Sequence, residues 1–303
     1  VGGRHALTFG GEVYDEYIAA GRTLEDPGSS LPTAVRPRIP DGTRYTSTGL
    51  FVQTASELVP GRLTLRAGLR HGYFLFRTQA DPDLDVGAER IPSSALTFHT
   101  GAVVGVTNAV NATFTVSRGF RAANAFDLGS IGISGGGFEV TPQAAGDLGG
   151  LIGDNDGADA VSTGVPVDEL GPESGIVIEG GIKVRTPRTS ASLTLFDLEM
   201  RDIIQRRTAI FPTPIVGTTI AGFTVVRQDA SGRAFVDEDP RPIVTRVNVD
   251  RARVLGLEGD AQVRVAPDWL VAGYFSLVNG RELDSDLYLR RMPPPLGGAR
   301  LRW

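Results

Sequence analysis

Residues 254–265, VLGLEGDAQVRV, place Leu255, Leu257, Gly259, Ala261, Val263 and Val265 on one side of an extended chain. Glu258, Asp260, Gln262 and Arg264 fall on the other. The same split recurs in 62–70, where Leu63, Leu65, Ala67 and Leu69 oppose Arg62, Thr64, Arg66 and Arg70. It recurs again in 176–185, where Ile176, Ile178, Ile182 and Val184 oppose Glu179, Lys183 and Arg185. The polar side is too charged for an ordinary half-buried strand. One apolar and one wet face, repeated strand after strand, suits a barrel with lipid outside and water inside.

The pattern predicts ten strands, at 7–17, 46–58, 62–76, 96–107, 112–120, 176–186, 190–206, 247–265, 269–278 and 297–303. Tight turns join some of them, as at Pro60-Gly61, Asn108 to Asn111, Pro187-Arg188 and Pro267-Asp268. Between these lie long polar, Gly- and Pro-rich connections at 18–45, 77–95, 121–175, 207–246 and 279–296. Short turns at one end and long loops at the other are the asymmetry of outer-membrane barrels, whose long loops are extracellular. Trp269, directly after a tight turn, then belongs to the aromatic girdle on the short-turn side. No run is long and apolar enough for a transmembrane helix. Residues 208–226 come nearest, but Pro212, Pro214, Gly217 and Gly222 interrupt them, and they read as a loop carrying a short strand pair. The opening residues, Val1-Gly-Gly-Arg-His, do not form a signal peptide.

Composition narrows the chemistry. A net charge of −5 gives no basic footprint, so nucleic acid is not an expected partner. The absence of cysteine removes disulfides and thiolate chemistry. Only His5, His71 and His99 are available as imidazole bases, and none neighbours a nucleophile motif, so the chain does not read as an enzyme. Gly135-Gly136-Gly137 is not followed by the Lys-Ser or Lys-Thr of a phosphate cradle. Asp154-Asn155-Asp156-Gly157-Ala158-Asp159 bunches carboxylates as a calcium loop does, but Gly157 falls fourth rather than sixth. It reads as a solvated turn, and neither a metal nor a cofactor is expected. His71 and His99 flank the 77–95 connection and are close enough along the chain to approach each other.

Five segments carry a more specific likeness. Thr48 to Gln53, followed by Leu63 to Arg70, resembles the "GxYxQ … LxLxxGLR" hairpin of TonB-dependent outer-membrane receptors. Phe114 to Asn124, FTVSRGFRAAN, is similar to their "YSRGFRAPN" segment. Leu170-Gly171-Pro172-Glu173-Ser174, running into Glu179 to Lys183, resembles "LxPExSxxxExGxK". Asn248, Ala252 and Gly256-Leu257-Glu258 resemble the "N … A … GvE" strand, and Pro293-Pro294-Pro295 with Leu301-Arg302-Trp303 the "PP … LRW" strand. The five stand in family order over nearly the whole chain.

The resemblance implies an all-β transmembrane antiparallel barrel, residues 1–303 forming part of a receptor wall of about 22 strands. It implies residence in the outer membrane of a Gram-negative bacterium, in contact with its lipid. It also implies TonB-coupled uptake of a scarce nutrient, a ferric siderophore being the default cargo, with the TonB complex engaged through a plug domain. Neither plug nor TonB box is present in these residues. The chain is therefore expected to be a fragment of a longer barrel, the alternative being a small barrel closed by its ten strands with Trp303 as terminal aromatic. Haem ranks below siderophores, because residues 122–172 contain no histidine. Around Arg121-Ala122-Ala123-Asn124-Ala125-Phe126, Arg121, Asn124 and Phe126 either contact a ligand or brace the rim; the brace is the preferred reading, and Ala123 stands where the family has proline. Tyr14 and Glu16, near the end of the first strand, complete the candidate ligand contacts. Two other functional readings stand beside transport: a non-transporting surface or adhesion barrel, and a soluble β-sheet interaction protein.

Overall fold

A computed structural model describes residues 4–25, 28, 32–80, 82, 87–283, 288–289 and 292–303. Parts of the connections at 18–45, 77–95 and 279–296 thus lie outside the described residues. Ten long strands form one sheet: β1 (His5–Ile18), β2 (Thr43–Val59), β3 (Leu63–Arg77), β4 (Arg90–Gly105) and β5 (Val110–Arg121), then β6 (Glu173–Arg185), β7 (Thr189–Ile210), β8 (Ile243–Ala266), β9 (Trp269–Glu282) and β10 (Leu296–Arg302). Each pairs antiparallel with the next in sequence, so the wall is a plain meander. β1 and β10 are its edges; among the described residues no ladder joins them, so the ten strands do not close on themselves.

Register sorts the side chains. Phe9, Val52, Leu69 and Phe98 stand side by side across β1 to β4, and Leu195, Leu257 and Leu277 across β7 to β9. All belong to one face of the sheet, and most are exposed. An apolar face this extensive is covered by lipid rather than water. The opposite face carries Glu12 paired with Arg70, Ser192 donating to Asp260, and Ser276 donating to Glu258 at 2.9 Å.

The apolar band has a definable height. From Leu255 to Val265 β8 rises about 33 Å along its own axis, or about 24 Å when inclined at about 45°, close to the hydrocarbon span of such walls. At one end Trp269 and Trp303 stand with ring centroids 6.4 Å apart, beside the 267–268 turn. At the other, the outward Asp197 and Arg253 meet at 2.6 Å. Beyond that ion pair β7 and β8 run on to Ile210 and back to Ile243, carrying the long connections well clear of the apolar band.

The sheet is curled. Ile18 of β1, Tyr45 of β2, Phe76 of β3, Ile91 of β4 and Ile204 of β7 all join one cluster around Leu128 and Leu170. In a flat sheet β1 and β7 would lie about 29 Å apart at the usual spacing between neighbouring strands. Curling also demands small residues where bulky neighbours lean across the inner face. At Gly256 a Cβ would stand 2.1 Å from the Phe196 ring. Gly256→Val is therefore expected to destabilise the wall by about 1–3 kcal/mol through overpacking. Thermal melting of the detergent-extracted barrel checks this, and Phe196→Ala in the same chain should restore part of the loss.

The structure corrects two expectations. His71 pairs with Leu50 and Leu96 on the outward face, whereas His99 pairs with Gly68 and Ser117 on the inward face. The sheet separates the two imidazoles, which form no joint site. The long connections are also not merely polar. The 122–172 segment contains helices α1 (Ala125–Gly129) and α2 (Pro142–Asp147), and the 211–242 segment contains strands at Thr219–Ile220, Phe223–Gln228 and Ala234–Val236. Their apolar residues need a core because they lie above the lipid.

Candidate functional site

That core is built where β7 and β8 extend past the apolar band. Phe138, Val140, Ile152 and Val167 of one connection meet Phe211, Ile220, Val225 and Val236 of the other over Ala209, Ile243 and Val247. The strand Phe138–Val140 pairs in parallel with Ile243 to Thr245, continuing the wall sheet where β9 no longer reaches. Arg241 ties the two connections at their surface, donating to the carbonyls of Ser134 and Gly135 at 2.8 and 2.9 Å. It also pairs with Asp239 at 2.7 Å. Burial alone would push the Asp239 carboxyl up, but side-chain and backbone hydrogen bonds from Arg241 outweigh it and hold the group below the usual carboxylate range.

Beneath this core runs a chain of alternating charges. Arg38 meets Glu139 at 2.9 Å, and Glu139 meets Arg246 at 2.8 Å. Arg246 meets Asp127 at 3.2 Å, Asp127 meets Arg121 at 2.6 Å, and Arg121 grips both carboxylate oxygens of Glu173 at 2.8 Å. Glu173 also accepts the backbone N–H of Ile204 at 2.7 Å. The side chains of Glu139 and Asp127 are 1% and 5% exposed, so their charge is tolerated only because guanidinium groups surround it. The three cations and three anions balance. They join the 19–42 and 122–172 connections to β5, β6 and β8.

The five residues singled out from the sequence occupy separate environments. Arg121 is held within the charge chain. Asn124 caps α1, its Oδ1 accepting the N–H groups of Phe126 and Asp127, while Asp127 returns a carboxylate to the Asn124 N–H. Phe126 is partly exposed beneath the Arg38 guanidinium, 4.8 Å from its ring centroid. Tyr14 and Glu16 are exposed on the inward face of β1, opposite Ser47 and Tyr45. Arg121, Asn124 and Phe126 therefore form one neighbourhood on the rim, and Tyr14 and Glu16 line the inner wall.

Other polar groups fix the loops. Asn248 donates to the carbonyls of Gly171 and Asp202 at 3.0 and 2.7 Å and accepts the Gly171 N–H at 2.7 Å. In the acidic loop, Asp154 accepts the Val161 N–H, Asn155 accepts the Gly157 N–H, and Asp156 pairs with Arg206 at 2.8 Å. Those carboxylates stabilise turns. Sequence reasoning missed Arg38, Asp127, Glu139 and Arg246 because no local spacing links them.

Three connections also line an open pocket of about 590 Å³. Leu24, Val35, Ile133, Phe138 and Phe223 give it largely apolar walls, and Arg22, Arg36 and Glu238 reach its edge.

The whole chain, residues 1–303, matches the family model described as TonB dependent receptor-like, beta-barrel. Among solved structures it is similar to the copper transporter OprC, with a TM-score of 0.61 at 12% identity, over 98% of this chain and 38% of that one. It is also similar to a double mutant of the Serratia marcescens hemophore receptor HasR in complex with its hemophore HasA and heme. That match has a TM-score of 0.52 at 13% identity, over 93% of this chain and 42% of that one. The chain thus spans about two fifths of the length of these structures. No curated protein matches the sequence.

Proposed function

Because this chain belongs to the TonB-dependent receptor β-barrel family, a family of transport barrels of the Gram-negative outer membrane and not of enzymes, we propose that it forms wall and mouth of a transporter for a ferric siderophore. The observation that carries transport is the two-faced wall, apolar rows against lipid and ion-paired, hydroxyl-rich rows toward a wet lumen. In this reading the long connections and a plug domain capture the cargo outside. TonB, pulling on the plug, then opens a path along the charged inner face.

The choice of cargo rests on which metal ligands the chain offers. Copper sites favour thiolate, thioether and imidazole ligands, and haem iron is held most often by histidine, methionine or cysteine, with tyrosine as a further ligand. This chain has no cysteine, two methionines and three histidines, none of them within 122–172. A siderophore arrives with its iron already wrapped and asks only for shape and charge. In this reading Arg121, Asn124 and Phe126 of the rim, with Tyr14 and Glu16 below, are candidate cargo contacts.

Deletion of the gene should slow growth under iron limitation and abolish uptake of radiolabelled iron presented as a siderophore. Unchanged growth and uptake, with copper or haem use impaired instead, would overturn the assignment. Loss of surface adhesion with all uptake intact would favour a non-transporting barrel.

A further inference from the structure

Most described arginines above the apolar band are spoken for by carboxylates or carbonyls. Among the described residues the Arg22 guanidinium has no ion-pair or hydrogen-bond partner. It lies at the edge of the 590 Å³ pocket, on the short hairpin formed by Arg22–Leu24 and Thr33–Val35. Gly132 forms the facing backbone. Its φ of 108° lies in the left-handed region that side chains avoid, and Arg22 Nη1 sits 3.6 Å from where a Cβ would be.

The pocket floor is aromatic. Phe138 and Phe223 meet edge to face, with centroids 4.7 Å apart and rings inclined at 65°. Leu24 and Ile133 stand at the sides, both substantially exposed. Arg36 is also present, its guanidinium donating to the Ala221 carbonyl. Glu238 is the acid of the lining, and Arg36 also acts on Glu89 outside it, which leaves Arg22 as the cation facing the pocket.

We infer that this pocket receives an aromatic arm of an anionic ferric chelate, a catecholate or phenolate type. The arm's ring lies against Phe223, Leu24 and Ile133, and its negative charge faces Arg22. This rests on the siderophore reading above and narrows it to one chemical class. Apolar walls strip water from whatever enters, which suits a ring and penalises the amide and hydroxyl surface of hydroxamate or citrate chelates. A guanidinium both stacks on a ring and pairs with its anionic oxygens, so one arginine recognises both properties of such an arm.

The test uses outer membranes containing the protein expressed in full from its own gene, with three probes: iron(III) with 2,3-dihydroxybenzoate, with acetohydroxamate and with citrate. Wild type should bind the dihydroxybenzoate complex best. Arg22→Gln and Leu24→Asp, both exposed enough to spare folding, should each weaken that binding about tenfold or more and leave the other two complexes unaffected. Tight chelate binding that neither variant alters would refute the pocket while leaving siderophore transport standing. Preference for citrate or hydroxamate would refute the aromatic class. Binding of none of the three by wild type would refute the siderophore reading and this inference with it.

Discussion

Leu257→Arg will cut the amount of folded protein recovered in the outer membrane severely, while Gln262→Arg will leave it near wild type. The two positions are five residues apart on β8, yet Leu257 stands outward between Leu195 and Leu277, and Gln262 stands inward between Ser190 and Ala272. An arginine facing lipid near the midplane costs about 2–4 kcal/mol, falling to about 0–1 kcal/mol near the interface. Depth therefore grades the effect. Leu65 is also outward and stands two residues inside the start of β3, as Leu257 stands two residues inside the Leu255 edge of the band, so Leu65→Arg should impair recovery to a similar degree. Heat-modifiable gel mobility of membrane fractions reads the folded share directly. Equal recovery of Leu257→Arg and Gln262→Arg would mean that the apolar face does not meet lipid.

The wall was legible because alternation is local: residues 257–265 alone declare their two faces. Strand ends were less so. β4 begins at Arg90, six residues before the predicted start at 96, because Pro92 breaks the expected pattern within that stretch. β7 and β8 overrun their predicted ends because Ala209 and Ile243 are buried by loops, not by lipid, and loop packing has no period. Register was hidden for the same reason. That His71 and His99 face opposite ways follows from His71 lying opposite Leu96 across a hairpin whose pairing no single segment encodes. On the rim, Arg121, Glu173 and Asn248 were visible as parts of motifs. Their partners Asp127, Ile204 and Asp202 lie 6, 31 and 46 residues away along the chain, and only the folded sheet brings them together.

Glu139 shows how much the mouth depends on such distant contacts. Its side chain is 1% exposed and sits between Arg38 and Arg246, with the Ser130 hydroxyl at 3.4 Å. Glu139→Ala removes the anion shared by two half-buried guanidinium groups, leaving Arg38 without its carboxylate and Arg246 with Asp127 alone. Breaking a buried pair in this way typically costs about 3–5 kcal/mol, more than the pair contributed net, because the orphaned charge remains desolvated. The loss should fall on the connections rather than the wall, since Glu139 reaches the ten-strand sheet only through Arg246 and the parallel pairing of its own short strand. Amide exchange across 130–147 should rise and a protease added outside the cell should cleave there, while heat-modifiable mobility shows the barrel still folded. Glu199→Ala provides the contrast, because Glu199 and its partner Arg201 are 40% and 59% exposed and such a pair is worth about 0–1 kcal/mol. If Glu139→Ala and Glu199→Ala left the 122–172 connection equally protected, the charge chain would not be what holds the mouth in place.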